Sequence, residues 1–447
     1  MALELLLRIE REGAYADRLL SSKQVLTLPQ RDRAFVRELV LGVLRWRGRL
    51  DRIIDTYYQS KSKPAGLEVR NILRLGLFQL LYMESVPDWA AVSESVSMAR
   101  TSGNEKAAGL VNAILRRTIR EGEPPVATSN PAERLSIQYS YPLWLVEKWI
   151  EAYGLETAES ILDAGNSKHP VTLRANTLKI TPGELRERLA SEKISSEPVK
   201  DAPGFLAAAD AYGLFDTGAF KEGLFTVQDA AAELAVALLD PRPGERILDL
   251  CAAPGGKTTQ IAEMTGDEAS ITAVDLNEAR LGLVKQAAER LELTSIGFVE
   301  GDARTFKAEI PYDRVLCDVP CTGTAVFSKR PDMKWRRTPG DALRMSDIQK
   351  AILENAYNLT KPGGIIVYST YSLEHEENED VVAWFTGHFP VQLERDSRFA
   401  AFETPAGYRI LPHRMHGTGA FAARLRKSDD EDSVHENIHP QRYPAIG

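Results

Sequence analysis

Cysteine is scarce in this sequence, and the scarcity limits both the redox environment and the chemistry of the protein. Only Cys251, Cys317 and Cys321 occur among 447 residues. Three cysteines cannot provide a disulfide framework for a chain of this length, so we expect a reducing compartment and a cytoplasmic protein. No group of cysteines and histidines has the spacing of a zinc site, and we therefore expect no metal.

Long apolar runs are also missing. No stretch approaches the roughly 18 apolar residues that a membrane-spanning helix needs. The N-terminus, MALELLLRIEREGAYADRLL, has the mixed pattern of an amphipathic helix and lacks the basic stretch and apolar core of a secretory signal. We therefore expect neither a membrane span nor a signal peptide.

An excess of positive charge is absent from the whole chain but present in its front part. The net charge is -8, whereas residues 1–125 carry 20 Lys and Arg against 15 Asp and Glu. Seven arginines fall between Arg31 and Arg52. Such a basic face permits a polyanionic partner, but the same pattern is typical of an ordinary solvated helix.

The apolar pattern divides the chain into four predicted parts. Residues 1–125 show helical spacing, and in RAFVRELVLGVLRWRGRLDRIIDTYY the positions that repeat are Phe35, Leu39, Val43, Leu50 and Ile54. After a proline-rich linker, EGEPPVATSNP, residues 135–220 predict a small α+β module with a strand in PVTLRANTLKI and a helix from about Gly183 to Glu192. Residues 221–427 form the largest part, and residues 428–447 predict a mobile acidic tail.

The largest part alternates buried-type strands with helices. The strands are RILDL, ITAVDL, IGFVEG, RVLCDV and IIVYST, which are continuous apolar runs. Such runs are expected in a parallel sheet that is covered on both faces. We predict an α/β protein with a doubly wound, Rossmann-like sheet, preceded by the all-α domain and the small α+β segment.

Glycines and acids follow the first three of these strands. Gly255 and Gly256 lie between a strand and a helix that begins near Lys257, where the backbone can approach a ligand. Asp275 and Asp302 end the next two strands, where carboxylates suit a ribose diol and an adenine amino group. Each acid alone is more often a cap or turn residue. Together they predict an adenosine-type pocket and favour S-adenosylmethionine over NAD or ATP.

The fourth strand is followed by Asp318-Val319-Pro320-Cys321, which presents a thiol beside the predicted pocket. A small buried hydrophobe is the usual role of a free cysteine, and it suits Cys251 and Cys317 better than Cys321. The next residues, SKRPDMKWRR, combine basic side chains with Trp335. That combination suits a surface for phosphates and stacked bases.

Together these motifs strongly resemble the Sun/Fmu (RsmB-type) 16S rRNA cytosine-C5 methyltransferases over nearly the whole chain. DRAFVRELVLGVLRW, ILRLGLFQLLYMESVP and GLVNAILRR resemble the NusB-like RNA-binding domain of that family, and PVTLRANTLK resembles a segment that the family uses on RNA. VQDAAAELAVALLDPRPGERILDLCAAPGGKTTQIAE and DVPCTGTAVFSKRPDMKW resemble its catalytic signatures, and ILPHRMHGTGAFAARLRK resembles its closing strands. The resemblance implies an S-adenosylmethionine site formed by Cys251, Ala252, Ala253, Pro254, Gly255, Gly256, Lys257, Asp275, Arg280, Asp302 and Asp318.

The sequence departs from the family in VYSTYSLEHEENE. The resemblance implies a Thr-Cys-Ser motif with a nucleophilic cysteine, but this chain has Thr370-Tyr371-Ser372. The second cysteine of the family, which mainly helps product release in relatives, is retained as Cys321. A tyrosine hydroxyl has an ordinary pKa of about 10 and is a poor substitute for a thiolate.

The resemblance implies methyl transfer to C5 of a cytosine in 16S rRNA, and two hypotheses accommodate Tyr371. In the first, Cys321 attacks C6 of the cytosine, an arrangement that resembles the Pro-Cys nucleophile of DNA cytosine-C5 methyltransferases, and Tyr371 stacks on the base or shapes the pocket. In the second, activity is lost and an RNA-binding, ribosome-assembly protein remains. Methylation of an exocyclic nitrogen or of a protein is a third class, which the retained thiol disfavours. We expect a monomer that binds RNA.

Overall fold

The structure of the protein, a computed structural model, describes residues 1–58, 65–101, 105–209 and 213–429. The predicted mobile tail begins at residue 428, so that residues 430–447 of it lie outside the described residues. Among the described residues, no helix is long and apolar enough to cross a membrane.

The chain folds as two units. Unit 1 comprises Met1–Ser167 together with Phe327–Pro339. Unit 2 comprises Lys168–Val326 and the chain from Gly340 onward. A short segment in the second half of the sequence therefore belongs with the N-terminal helices.

Unit 1 is helical. Its helices are α1 (Ala2–Arg11), α2 (Ala16–Leu20), α3 (Lys23–Leu26), α4 (Gln30–Tyr57), α5 (Leu67–Tyr82), α6 (Asp88–Thr101), α7 (Glu105–Glu121), α8 (Pro131–Tyr139), α9 (Leu143–Tyr153) and α10 (Leu155–Asn166). A 3-10 turn, Pro331–Trp335, lies in the second stretch of the unit. The prediction of an all-α front part is confirmed.

The longest helix, α4, carries most of the predicted apolar face. Leu39, Val43, Leu50 and Ile54 are buried in the core of unit 1. Phe35 is 43% exposed, so its assignment to the buried face is wrong. The neighbouring Val36 is buried and fills the inward position of that turn.

The arginines of α4 are mostly engaged within unit 1. Four of them have partners there: Arg45 with Ser328 O (2.8 Å), Arg47 with Glu10 (3.0 Å), Arg49 with Glu123 (2.6 Å) and Arg52 with Pro124 O (2.8 Å). Within the described chain, the side chains of Arg31, Arg33 and Arg37 make no hydrogen bond and no close ion pair, although Arg37 interacts electrostatically with Asp17. The first third of α4 therefore keeps free donors for a polyanionic partner.

The proline-rich segment predicted as a linker has no regular structure at residues 122–130. It joins two parts of the same unit, because α7 and α8 both belong to unit 1. Arg49 and Arg52 of α4 bind its Glu123 and Pro124. The segment is thus fastened to the helical core and does not separate two units.

The stretch SKRPDMKWRR, residues 328–337, was expected to present a surface for phosphates and bases, and the structure gives part of it a different role. Lys334 is fully buried. Its ammonium donates to Arg45 O (3.0 Å), Ser140 O (3.3 Å) and Asn166 Oδ1 (2.8 Å). Trp335 donates its ring N–H to Leu44 O (2.6 Å). The expected surface is wrong for these two side chains, which fasten the segment to unit 1.

Unit 2 begins with a small antiparallel sheet of strand order β2-β3-β1-β4. Its elements are β1 (Val171–Ala175), α11 (Pro182–Ser191), β2 (Ser196–Pro198), β3 (Phe205–Ala208), α12 (Gly218–Lys221) and β4 (Phe225–Val227). A capping box between Thr181 and Glu184 starts α11, and the predicted strand and helix are both confirmed. The module differs in extent from the predicted 135–220, because β4 pairs with β1 and α8–α10 belong to unit 1.

The rest of unit 2 forms a nine-stranded sheet with flanking helices. These elements are α13 (Glu233–Leu239), β5 (Arg246–Asp249), α14 (Gly256–Met264), β6 (Ser270–Asp275), α15 (Glu278–Leu291), β7 (Ile296–Glu300), β8 (Tyr312–Asp318), α16 (Asp341–Leu359), β9 (Thr360–Thr370), α17 (Glu379–His388), β10 (Val391–Glu394), β11 (Glu403–Thr404), β12 (Gly407–Ile410) and β13 (Ala420–Lys427). The strand order is β11-β12-β13-β9-β8-β5-β6-β7, and β10 pairs with β13.

The five predicted strands correspond to β5 through β9, and they pair with one another in parallel. Strand β13 pairs with β9 in the antiparallel orientation, and β10 and β12 in turn pair with β13. Apolar residues cover both faces of the parallel part. The doubly wound α/β prediction is therefore confirmed, with an antiparallel extension at one edge.

Candidate active site

The strand order of the large sheet reverses beside β5. This strand pairs in parallel with β6 on one side and with β8 on the other. In doubly wound sheets, ligands bind outside the carboxyl ends of the strands at such a reversal. The chain leaves β5 after Asp249, β8 ends at Asp318, and β9 ends at Thr370, so the predicted site residues share this edge.

The loop that follows β5 turns sharply into α14. The loop and the first two residues of α14 carry seven of the predicted site residues: Cys251, Ala252, Ala253, Pro254, Gly255, Gly256 and Lys257. Gly255 has a φ of +107°, and a Cβ at this position would lie 3.0 Å from the Val284 backbone. Only glycine tolerates both the backbone angle and the close approach. We call residues 251–257 the glycine loop.

Asp275, at the end of β6, holds the glycine loop through its carboxylate. One oxygen accepts from Ala253 N (3.2 Å), and the other accepts from Asn277 N (3.1 Å). Arg280 donates to Ala253 O (2.9 Å) and lies 3.7 Å from the Asp275 carboxylate. The structure therefore brings these two predicted site residues together against the loop.

Asp302 lies just beyond the end of β7 and is paired within its own turn. The Arg304 guanidinium binds both carboxylate oxygens, the shortest contact being 2.6 Å, and Arg304 N donates to Asp302 Oδ1 (2.9 Å). These hydrogen bonds lower the pKa of Asp302. The carboxylate stays ionised and half-buried, and it shares its acceptor capacity with Arg304.

Lys257 connects the glycine loop to the ends of β8 and β9. Its Nζ donates to Asp318 Oδ2 (2.6 Å) and to the Tyr371 hydroxyl (3.3 Å), and it lies 4.5 Å from the centre of the Tyr371 ring. Burial opposes the charge of Lys257, but Asp318 and Tyr371 raise its pKa overall. Asp318 Oδ1 is buried and accepts no hydrogen bond from any described residue.

Cys321 completes this group. Burial raises the pKa of its thiol to about 12, the charge of Glu377 adds to the effect, and hydrogen bonds from the Tyr371 and Gly323 backbone oppose it. The thiol is therefore protonated at neutral pH. We call Lys257, Asp318, Cys321 and Tyr371 the strand-end cluster.

Of the other two cysteines, Cys317 is buried as the sequence predicts, whereas Cys251 is partly exposed. Cys317 is fully buried inside β8. Burial raises the pKa of both Cys317 and Cys251. Neither thiol is activated.

Comparison with known proteins assigns the chain to a family. The 16S rRNA methyltransferase RsmB/F model matches residues 236–426, the NusB model matches 1–120, and the ferredoxin-like domain of the RsmF/B-like methyltransferases matches 141–210. The chain is 36% identical over 443 residues to the probable ribosomal RNA small subunit methyltransferase B of Bacillus subtilis, covering 96% of this chain and 98% of that one. The chain belongs to the 16S rRNA methyltransferase RsmB/F family.

Further relatives agree with this assignment. The ribosomal RNA small subunit methyltransferase B of Serratia proteamaculans is 36% identical over 90% of this chain and 92% of its own length. Among solved structures, PH0851 superimposes with a TM-score of 0.78 at 26% identity, over 95% of this chain and 98% of that one. A methyltransferase homologue from Pyrococcus horikoshii covers 67% of this chain and all of its own, with a TM-score of 0.59 at 29% identity. The family resemblance seen in the sequence is confirmed, and the role of each site residue stays a prediction.

Sequence reasoning missed Glu377, which supports the strand-end cluster of this family member. Glu377 is fully buried and binds two loops at once. It accepts hydrogen bonds from Thr322 N (2.8 Å), the Thr322 hydroxyl, the Ser372 hydroxyl and Gln349 Nε2 (3.0 Å). Burial raises the pKa of Glu377 although these donors oppose the shift. Thr322 directly follows Cys321 and Ser372 directly follows Tyr371, so this one carboxylate holds both positions.

Sequence reasoning also missed Asp249, the last residue of β5. The Thr258 hydroxyl donates to Asp249 Oδ2 (2.7 Å), which ties the strand to α14 behind the glycine loop. Burial raises the pKa of Asp249 to about 7, and the nearby Asp318 contributes to the rise. The signal was present in the sequence, since an acid ends this strand as it does the next one.

Proposed function

We propose that this protein transfers a methyl group from S-adenosylmethionine to C5 of a cytosine in small-subunit ribosomal RNA, through a covalent adduct with Cys321. The strand-end cluster carries the proposal, because it places a thiol, a lysine–carboxylate pair and an aromatic ring at the ligand edge of the sheet. The names of the bacterial relatives support ribosomal RNA as the substrate.

The residues at this edge fit S-adenosylmethionine. Asp275 would bind the ribose hydroxyls, Asp302 the adenine amino group, and the glycine loop with Lys257 and Arg280 would enclose the cofactor. The buried Asp318 Oδ1 accepts no hydrogen bond from any described residue and is therefore available to a ligand at this edge. When bound, the cofactor supplies a methyl group on a positively charged sulfur.

The proposed chemistry overcomes the weak nucleophilicity of C5. The Cys321 sulfur forms a bond to C6 of the flipped cytosine, and the electrons of the C5–C6 double bond make C5 nucleophilic. After methylation a base removes the C5 proton, the double bond re-forms, and the C6–S bond breaks. The sulfur leaves as a thiolate and takes back the proton that Asp318 accepted, which regenerates the thiol.

The raised pKa of Cys321 imposes a condition on these reaction steps. A thiol that is protonated at neutral pH has to lose its proton as the C–S bond forms. Asp318 is the acceptor that we propose, because its Oδ1 has free lone pairs and it lies three residues away. Tyr371 is not the nucleophile in this proposal, because burial raises the pKa of its hydroxyl and a phenol oxygen is a weaker nucleophile than a cysteine sulfur.

A second candidate is a catalytically silent RNA-binding protein that acts in ribosome assembly. Two observations together favour it. Tyr371 occupies the position where the family resemblance implies cysteine, and the thiol of Cys321 is protonated. The free arginines Arg31, Arg33 and Arg37 would serve this protein as well as the enzyme.

Transfer of a labelled methyl group from S-adenosylmethionine to small-subunit RNA distinguishes the two candidates. The proteins to compare are the wild type, Cys321→Ala, Tyr371→Cys and Cys317→Ala. Cys317→Ala is the matched control, because it removes a buried thiol of β8, the strand that leads to Cys321, and Cys317 lies outside the strand-end cluster.

The enzyme proposal predicts activity in the wild type and in Cys317→Ala, and loss of activity in Cys321→Ala. A Cys321→Ala protein with full activity would contradict the assigned nucleophile. A silent wild type that Tyr371→Cys activates, on naked RNA or assembly intermediates, would establish the binding protein instead.

A further inference from the structure

Arg174 is a buried arginine outside the strand-end cluster, on strand β1 of the small sheet. Its side chain is enclosed, with a relative exposure of 4%. It belongs to PVTLRANTLK, the segment that resembles an RNA-contacting part of the family, but a buried guanidinium is not available to RNA. Its contacts point to the glycine loop.

The Arg174 guanidinium uses its three nitrogens on α14, from Gly256 in the first turn to Glu263 in the last. Nε and Nη2 form a bidentate pair with Glu263 (3.0 and 2.7 Å). Nη1 donates to Gly256 O (2.7 Å), which belongs to the glycine loop, and also binds the Gln228 amide oxygen. Nη2 donates to the Thr259 hydroxyl (3.1 Å).

The Thr259 hydroxyl extends this contact to the loop. It lies 2.9 Å from Gly255 O and 3.1 Å from Gly256 O, where it donates. Gln228 packs against the other side of Gly256, since a Cβ there would lie 3.3 Å from the Gln228 amide oxygen. The backbone of Gly255 and Gly256 is therefore held by side chains that Arg174 connects.

A buried ion pair is a weak explanation for stability, because desolvation offsets most of its attraction. The planar fork of arginine, however, fixes several acceptors in one geometry, which lysine cannot do. Preorganised backbone around a ligand needs such outer support. The contacts of Arg174 have the pattern expected of that support.

We propose that Arg174 is a positioning residue that fixes the glycine loop for cofactor binding and thereby joins the small sheet to the site. The part that concerns S-adenosylmethionine rests on the proposed function. The part that concerns the loop rests on the contacts alone.

The test compares Arg174→Met with Arg314→Met. Arg314 is a matched control: it is a strand arginine, 7% exposed, with a bidentate glutamate pair (Glu245, 2.5 and 2.9 Å) and one backbone carbonyl partner (Leu239, 2.6 Å). It lies near the amino end of β8, whereas the glycine loop lies at the carboxyl ends of the strands. Hydrogen exchange of residues 251–260 without ligand and calorimetric titration with S-adenosylmethionine are measured for each protein.

We expect faster exchange of residues 251–260 in Arg174→Met and no change there in Arg314→Met. If the loop then spends about a tenth of its time in the binding conformation, the Kd for S-adenosylmethionine rises about tenfold. Unchanged exchange and Kd in Arg174→Met, or equal changes in both variants, would overturn the proposal.

Two further outcomes are separable. If Arg174→Met does not fold, Arg174→Lys, which keeps the charge beside Glu263 but loses the fork, is judged by the same two measurements. If the wild type binds no S-adenosylmethionine, the proposed function fails, while the exchange of residues 251–260 still decides whether Arg174 positions the loop.

Discussion

At the scale of single residues, the protonation state of Cys321 matters most for the proposed chemistry. Burial and the charge of Glu377 disfavour its thiolate, whereas the pKa of an ordinary cysteine is about 8.5. The group is therefore neutral at pH 7, and the thiolate fraction increases as the pH rises towards about 12. The rate of any reaction that needs the Cys321 thiolate should therefore increase with pH.

We predict that Cys321 in the folded, ligand-free protein reacts with iodoacetamide on the order of 10³-fold more slowly at pH 7.5 than an unfolded cysteine does, because of its smaller thiolate fraction. The rate should increase about tenfold per pH unit from pH 7.5 to 9.5. Mass spectrometry of the peptide that contains Cys321 measures the rate, with the urea-unfolded protein as control. A folded-state rate equal to the control at pH 7.5 would mean that the thiol is already activated.

The site residues that could be predicted from the sequence and those that were missed differ in their structural surroundings. Asp275 was predicted because it ends an apolar strand, and its contacts with the loop fit that position. Glu377 was missed because it lies in the acidic stretch EHEENED, which is typical of a solvated surface. Its burial depends on donors from Thr322 and Ser372, which are distant or unremarkable in sequence. A local sequence pattern does not show such partners, because they come together only in the tertiary fold.

At the scale of elements, two loops depend on one carboxylate. The loop after β8 carries Cys321, the loop after β9 carries Tyr371, and Glu377 accepts hydrogen bonds from both. Gln349 of α16 reinforces the arrangement by donating to Pro320 O (3.0 Å) and to Glu377. Removing the carboxylate leaves the Thr322 N–H, the Thr322 hydroxyl and the Ser372 hydroxyl without this acceptor, whereas Gln349 Nε2 still donates to Pro320 O.

We predict that Glu377→Ala lowers the free energy of unfolding by about 3 kcal/mol, because buried donors that lose their partner cost about 1 kcal/mol or more each. Glu377→Gln keeps one acceptor oxygen and should lose less. Urea unfolding followed by circular dichroism measures both. Glu394→Ala serves as control, since its partners Arg424 and Arg426 lie at a more exposed edge, and a loss of at most about 1 kcal/mol is expected there. Equal losses at the two positions would contradict the role of Glu377.

The fold itself was predictable where burial leaves a continuous apolar run. Strands β5 to β9 are covered on both faces, so their sequences identify them and the parallel sheet follows. The antiparallel edge was not predicted in detail, because β11 has only two residues, both polar, and β10 has four residues that alternate apolar with polar side chains. Their conformation depends on pairing within the sheet, β10 with β13 and β11 with β12, and not on local preference.

At the scale of the whole molecule, the chain passes three times between its two units, first at Ser167–Lys168. It leaves unit 2 after Val326 and returns at Gly340, and the residues between belong to unit 1. Lys334 lies in the middle of this inserted segment, and burial lowers its pKa well below the ordinary value. Its three oxygen acceptors come from α4, the end of α8 and α10. The inserted segment is thus part of the helical core.

We predict that residues 331–337 exchange their amide hydrogens with the protection of α4, because they open only when unit 1 opens. Lys334→Met should reduce protection in α4, α8 and α10, and should leave β5 to β9 unchanged. Hydrogen exchange read by mass spectrometry measures both regions in one experiment. Lys361→Met is the control, because its ion pair with Asp313 (2.6 Å) is half-exposed and lies in unit 2. If residues 331–337 exchanged like an exposed loop in the wild type, the insertion would carry no stability, and the helices of unit 1 would hold together without it.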